Sequence, residues 1–261
     1  MIFSRHFKTA LVLSMLASSA IAKPVRVQYE EGALHAFLIL RSEDGKTVAV
    51  GNLDQTVKGQ QVTDHLKFQF HDGSIYEDTT VFTQHGFFRV LSDHLLQSGP
   101  TFKDPIELWI DSPSGQVKVR ETKDGKDKTT IHQLSIPTDL ANGIVSTIAK
   151  DFPSNQPQTV TMLVATPKPR IVKLAITPQG EDTFSIANTQ YKATHYVAKI
   201  QIGGIAGAVA PVVGKQPPET HLWLLKSAVP IFLKSIGPLS ADNAVWQIEL
   251  ASPQWPDEKK Q

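Results

Sequence analysis

Leu66-Lys67-Phe68-Gln69-Phe70, followed at once by His71-Asp72-Gly73-Ser74, decides the fold. In an extended chain Leu66, Phe68 and Phe70 fall on one face, Lys67 and Gln69 on the other. The Asp-Gly step that follows supplies the positive φ and the local side-chain hydrogen bonding of a tight turn. This grammar recurs. Glu43-Asp44-Gly45-Lys46 separates Ala36–Leu40 from Thr47–Val50, and Lys123-Asp124-Gly125-Lys126 and Pro178-Gln179-Gly180-Glu181 repeat the signal further on. Alternating runs also occupy Ile106–Ile110, Val117–Val119, Val160–Val164, Ile171–Ile176, Tyr196–Ile202, His221–Leu225, Ile231–Ile236 and Val245–Leu250. The pattern predicts a mainly β chain: a strongly curved antiparallel sheet or an open half-barrel.

One segment departs from period two. Leu140, Ile144, Ile148 and Phe152 recur every fourth residue between Thr138-Asp139, which can cap free N–H groups, and Pro153, which stops a helix. This predicts a single amphipathic helix over about 138–152, weakened by Gly143, joining two β halves. No fixed-period repeat points to a propeller or a solenoid.

The first 22 residues read as a cleaved signal peptide. Arg5 and Lys8 precede the apolar run Ala10–Ala17, and small residues at Ala20 and Ala22 suit cleavage after Ala22. The expectation is a periplasmic product with one β-rich domain over 23–254 and a polar tail over 255–261. No later run has the length of a transmembrane helix. The chain has no cysteine, which excludes thiolate metal sites and lipid attachment through sulfur. Its formal net charge of +1 is spread without runs of one sign, so no nucleic-acid footprint is present.

Catalytic signatures are missing. There is no Gly-x-Ser-x-Gly elbow, no Ser-x-x-Lys and no His-Glu-x-x-His. The nine histidines lack metal-ligand spacing: His65 and His71 would stand roughly 20 Å apart on a strand, and Asp93 and His94 would face opposite sides. Gly207–Lys215 imitates a phosphate loop, yet six residues separate its glycines, Pro211 removes an N–H and no Ser or Thr follows Lys215. We therefore expect no enzyme, no metal and no cofactor.

That decoy lies in the most unusual stretch. From Ile202 to Gly214, thirteen residues carry no charged or hydrogen-bonding side chain. Four glycines and Pro211 make it a loop, and an apolar loop suggests a plug over the core, a lid over a cavity or a membrane contact. Ile205, Val209, Pro211, Val212, Val213 and the nearby Trp223 are the candidate contacts for an apolar ligand or membrane.

The last third carries a resemblance. Lys192–Ile200 leads into the apolar loop, and then come Thr220-His221-Leu222-Trp223-Leu224, Pro230–Lys234, Gly237-Pro238-Leu239 and Val245–Leu250. Over residues 160–250 this order resembles exported bacterial proteins of unknown function, whose fold is similar to the half-barrel of periplasmic lipoprotein carriers. The resemblance implies a concave apolar face able to hold an acyl chain and brings no catalytic residue. Two roles follow: a periplasmic binding or carrier protein for a lipidic or apolar ligand, or a structural or interaction module of the envelope, docking on another envelope protein, with a packed core and no ligand.

Overall fold

The structure, a computed structural model, describes residues 23–123, 125–186, 188–201, 217–239 and 244–251. Alternation gives a first run of eight strands: β1 (Leu34–Ser42), β2 (Thr47–Lys58), β3 (Gln61–Phe70), β4 (Ile75–Thr83), β5 (Arg89–Ser98), β6 (Ile106–Asp111), β7 (Gln116–Lys123) and β8 (Lys126–Gln133). A short helix, α1 (Val145–Ala149), separates them from β9 (Gln158–Val164), β10 (Arg170–Ile186), β11 (Thr189–Gln201), β12 (Thr220–Leu225), β13 (Ile231–Pro238) and β14 (Val245–Leu250). All fourteen belong to one antiparallel sheet in the order β8-β7-β6-β5-β4-β3-β2-β1-β14-β13-β12-β11-β10-β9. The two halves join where β1 pairs with β14, Leu40 opposite Ile248. No described helix is long and apolar enough to cross a membrane.

The sheet is rolled but not closed. Gln97 on β5 donates to the Leu239 carbonyl just beyond β13 at 2.7 Å. Six strand steps separate β5 from β13, which in a flat sheet is roughly 29 Å. Phe70 on β3 likewise meets Trp246 on β14 edge to face, with ring centroids 5.7 Å apart. The inner face collects the apolar members of each alternation, among them Leu40, Val62, Phe68, Phe82, Leu108, Val117, Ile176 and Leu224, all buried.

The expected helix over 138–152 shrinks to the five residues of α1, and Asp139, one of its supposed caps, serves the sheet instead. Asp139 accepts from Thr161 Oγ1 at 2.8 Å, and the Asn142 amide exchanges two hydrogen bonds with the Leu163 backbone at 2.8 and 2.9 Å. Together with the Ala141 N–H donating to the Thr161 carbonyl at 2.8 Å, these seal the open edge at β9. Gly143 then takes φ +67°, which breaks helical geometry. The apolar stripe is as expected: Leu140, Ile144, Ile148 and Phe152 are all buried against the inner face.

A second correction concerns Pro178-Gln179-Gly180-Glu181. It is no turn; β10 runs through it with a bulge, Pro178 facing Tyr196 and Gly180 facing His195. Gly180, at φ +119°, absorbs the extra residue, and the reversal comes later at Asn188, φ +66°. Two strands escape simple alternation: β5, whose inner face includes Asp93 and Gln97, and β8, which exposes both faces.

Gly143 lies so close to β4 that a Cβ there would overlap Thr80 Oγ1 and stand 3.2 Å from Asp93 Oδ1. Gly143→Ala should cost on the order of 3 kcal/mol, by urea unfolding, because steric overlap adds to left-handed strain. Gly125→Ala, with positive φ but open space, should cost only about 1 kcal/mol.

Candidate functional site

Inward-facing residues of the central strands form transverse rows set by register. One row runs Ala36, Leu53, Leu66, Asp78 and Leu95 across β1 to β5. Ala36, Leu53, Leu66 and Asp78 are half-buried, whereas Leu38 and Phe68 in the row on one side, and Gln55, Asp64, Thr80 and Asp93 in the row on the other, are buried. Leu34 and Leu250, also inward, are 48% and 39% exposed and mark where the strip opens. The strip is therefore an apolar furrow inside the roll.

Its far end is acidic. Thr80 Oγ1 donates to Asp93 Oδ1 at 2.8 Å, and Asp78 lies diagonal to Asp93. Burial pushes Asp78 well above the usual carboxylate range, and repulsion from Asp93 adds to it. Asp93 is raised too, by burial, against the Asp78 and Thr80 hydrogen bonds that favour its charge. Asp64 is raised to about 7, first by burial and then by Glu31. Asp78 Oδ1 and Asp64 Oδ1 are shielded from solvent and accept no hydrogen bond. These groups meet the furrow as neutral acids or as acceptors awaiting a donor.

The surrounding polar groups hold the N-terminal segment to the linker. Lys150 pairs with Glu31, whose other oxygen accepts from Gln55 at 3.1 Å, and the Glu31 N–H donates to Gln84 at 2.7 Å. The Asp151 carboxylate accepts from the Gln28 N–H and, at 2.9 Å, from the Tyr29 N–H. Such a network is strong only while every member is satisfied.

The outer face carries a different set. One row reads Lys118, Trp109, His94, Thr79, His65, Asp54 and His35 across β7 to β1. His94 stacks on Trp109 at 4.9 Å and bonds Glu107 at 2.9 Å, and His65 bonds Glu77 at 2.7 Å. A hollow of about 370 Å³ lies beside Trp109, Asp111 and Lys118. In the second half the same triplet recurs in register: His195 on β11, Trp223 on β12, Lys234 on β13.

The candidate contacts read from sequence divide. Ile205, Val209, Pro211, Val212 and Val213 lie outside the described residues. Trp223 is described, and it faces outward: its neighbours Leu222 and Leu224 are buried inside, while its ring stacks on His195 at 4.5 Å and its indole N–H donates to Asp182 at 2.7 Å. It does not line the furrow. Leu53, Leu66 and Asp78 are not among the candidate contacts that the sequence offers; the signal for this site is Asp78 in an alternation whose other inward members are Tyr76, Thr80 and Phe82.

No family model and no curated protein matches this chain. Among solved structures it is similar to the hypothetical lipoprotein YmcC from Escherichia coli, at 9% identity and a TM-score of 0.35, covering 85% of this chain and 86% of that one.

Because Asp64 holds its proton more tightly folded than unfolded, its contribution is present below pH 3.8 and is lost as pH rises through about 7. Asp78 and Asp93 act in the same direction. Thermal melts should show a more stable protein at pH 5 than at pH 8. Asp64→Asn should flatten that slope and gain several degrees at pH 8, from a linkage worth up to about 4 kcal/mol.

Proposed function

We propose that the protein is an exported binding protein for an apolar ligand held against the inner face of the rolled sheet. The observation that carries this reading is the row Ala36–Leu53–Leu66, only partly buried where Leu38 and Phe68 on one side and Gln55 and Asp64 on the other are buried. Ligand pockets are mostly apolar with a few convergent polar groups, and the Asp78 end of the furrow supplies such groups. An acyl chain or a similar slender hydrocarbon fits a furrow one residue row wide. Export rests on the character of residues 1–22, and the role is binding, not catalysis.

A second reading has its own observation. The linker residues Leu140, Ile144, Ile148 and Phe152 already fill much of the interior, as they would in a packed envelope module that docks other proteins and holds no ligand.

Binding of the fluorescent apolar probe N-phenyl-1-naphthylamine separates the two. The carrier reading predicts saturable binding near one equivalent, displaced by a fatty acid and reduced at least tenfold in Leu66→Trp, which fills the furrow. Absence of saturable binding in a folded protein favours the packed module.

A further inference from the structure

His195 and His221 lie on neighbouring strands β11 and β12, diagonal across the Trp223 position, with side chains on the outer face. His195 Nε2 and His221 Nδ1 approach to 3.0 Å. Two imidazole nitrogens bound to one ion at roughly 2.0–2.1 Å, at an angle near 90–110°, stand roughly 2.9–3.4 Å apart. The ring centroids lie 5.2 Å apart, with planes 24° from parallel. His195 is four-fifths buried, at 18% exposure, so its ring has little freedom to turn away. Stacking on Trp223 at 4.5 Å and 7° fixes it further.

We infer that His195 Nε2 and His221 Nδ1 form a two-histidine chelate for a divalent transition ion of the copper, nickel or zinc class. Asp182 completes the arrangement as a positioning residue. Its Oδ2 lies 3.7 Å from His195 Nδ1 and is anchored by the Trp223 indole N–H at 2.7 Å. A carboxylate on that side favours the proton on Nδ1 and frees Nε2 for the ion, the familiar carboxylate–histidine–metal relation. In the metal-free pair one facing nitrogen carries a proton and the other accepts it. Binding requires the donor ring to move that proton to its outer nitrogen, with no net release. Among the described residues no three His, Asp or Glu side chains converge as a ligand set, so the remaining positions fall to water. Imidazole ligation with open positions suits Cu²⁺ best in the divalent series, then Ni²⁺ and Zn²⁺.

The related row in the first half is the built-in control. His94 stacks on Trp109 in the same way but bonds Glu107 at 2.9 Å, with no second imidazole. Trp223 is also a reporter, because Cu²⁺ and Ni²⁺ quench a tryptophan at this distance, and Trp223→Phe identifies its share among the four tryptophans.

The experiment titrates the full chain with Cu²⁺ and Ni²⁺ at pH 7.5, following tryptophan emission, with electron paramagnetic resonance of the Cu²⁺ form. Expected are one-equivalent quenching of the Trp223 component and hyperfine splitting from two nitrogens. His195→Gln and His221→Gln should each weaken binding at least tenfold, Asp182→Asn by a lesser factor, and His94→Gln not at all. Circular dichroism melts confirm that each variant is folded. Quenching unchanged in both His195→Gln and His221→Gln, or a Cu²⁺ spectrum with a single nitrogen, overturns the assignment.

Discussion

The architecture depends on one close approach: the linker backbone at Gly143 against Thr80 and Asp93. A fourteen-stranded open sheet has two edges and one apolar face to cover. The chain between the halves does both jobs. Residues 139–142 pair with β9 at one edge, and the next residue touches β4 and β5, nine and ten strand steps away in sheet order. In a flat sheet those distances would be roughly 43 and 48 Å, so this segment and the roll require each other. Gly143 permits it because it has no Cβ and tolerates positive φ.

Filling the interior with the chain's own linker leaves an uneven result. Phe68, Phe82 and Leu108 are fully enclosed, while Leu53 and Leu66 are not. At the boundary sit Asp64, Asp78 and Asp93, whose burial is costly when charged. Of the three, Asp64 and Asp78 each keep one shielded oxygen without a hydrogen bond, whereas Asp93 accepts from Thr80. On the outer face, by contrast, His35, His65 and His94 pair with carboxylates and His195 with His221.

Much of the fold was legible because antiparallel strands with one solvated face announce themselves by alternation. Leu66–Phe70 and the turns at Gly45, Gly73 and Gly125 were read directly. The failures have local causes. Asp139 and Gly143 look like a cap and a weak point of a helix, but tertiary partners on β9 and β4 claim both. Gly180 looks like a turn, but a bulge uses glycine for the same positive φ. The site was less legible than the fold. Leu53 and Leu66 are ordinary strand residues, and only the roll decides which inward row stays uncovered. The His195–His221 approach joins residues 26 apart in sequence and depends on a register no spacing rule encodes.

Thiol labelling tests the central claim that the row at Leu53 and Leu66 opens to solvent in the native state. The chain has no cysteine, so single substitutions give unambiguous signals. Under native conditions Leu66→Cys and Leu53→Cys should react with a small uncharged thiol reagent at least about a hundredfold faster than Leu108→Cys, which is reached only through unfolding. Equal protection at all three positions would contradict an open furrow.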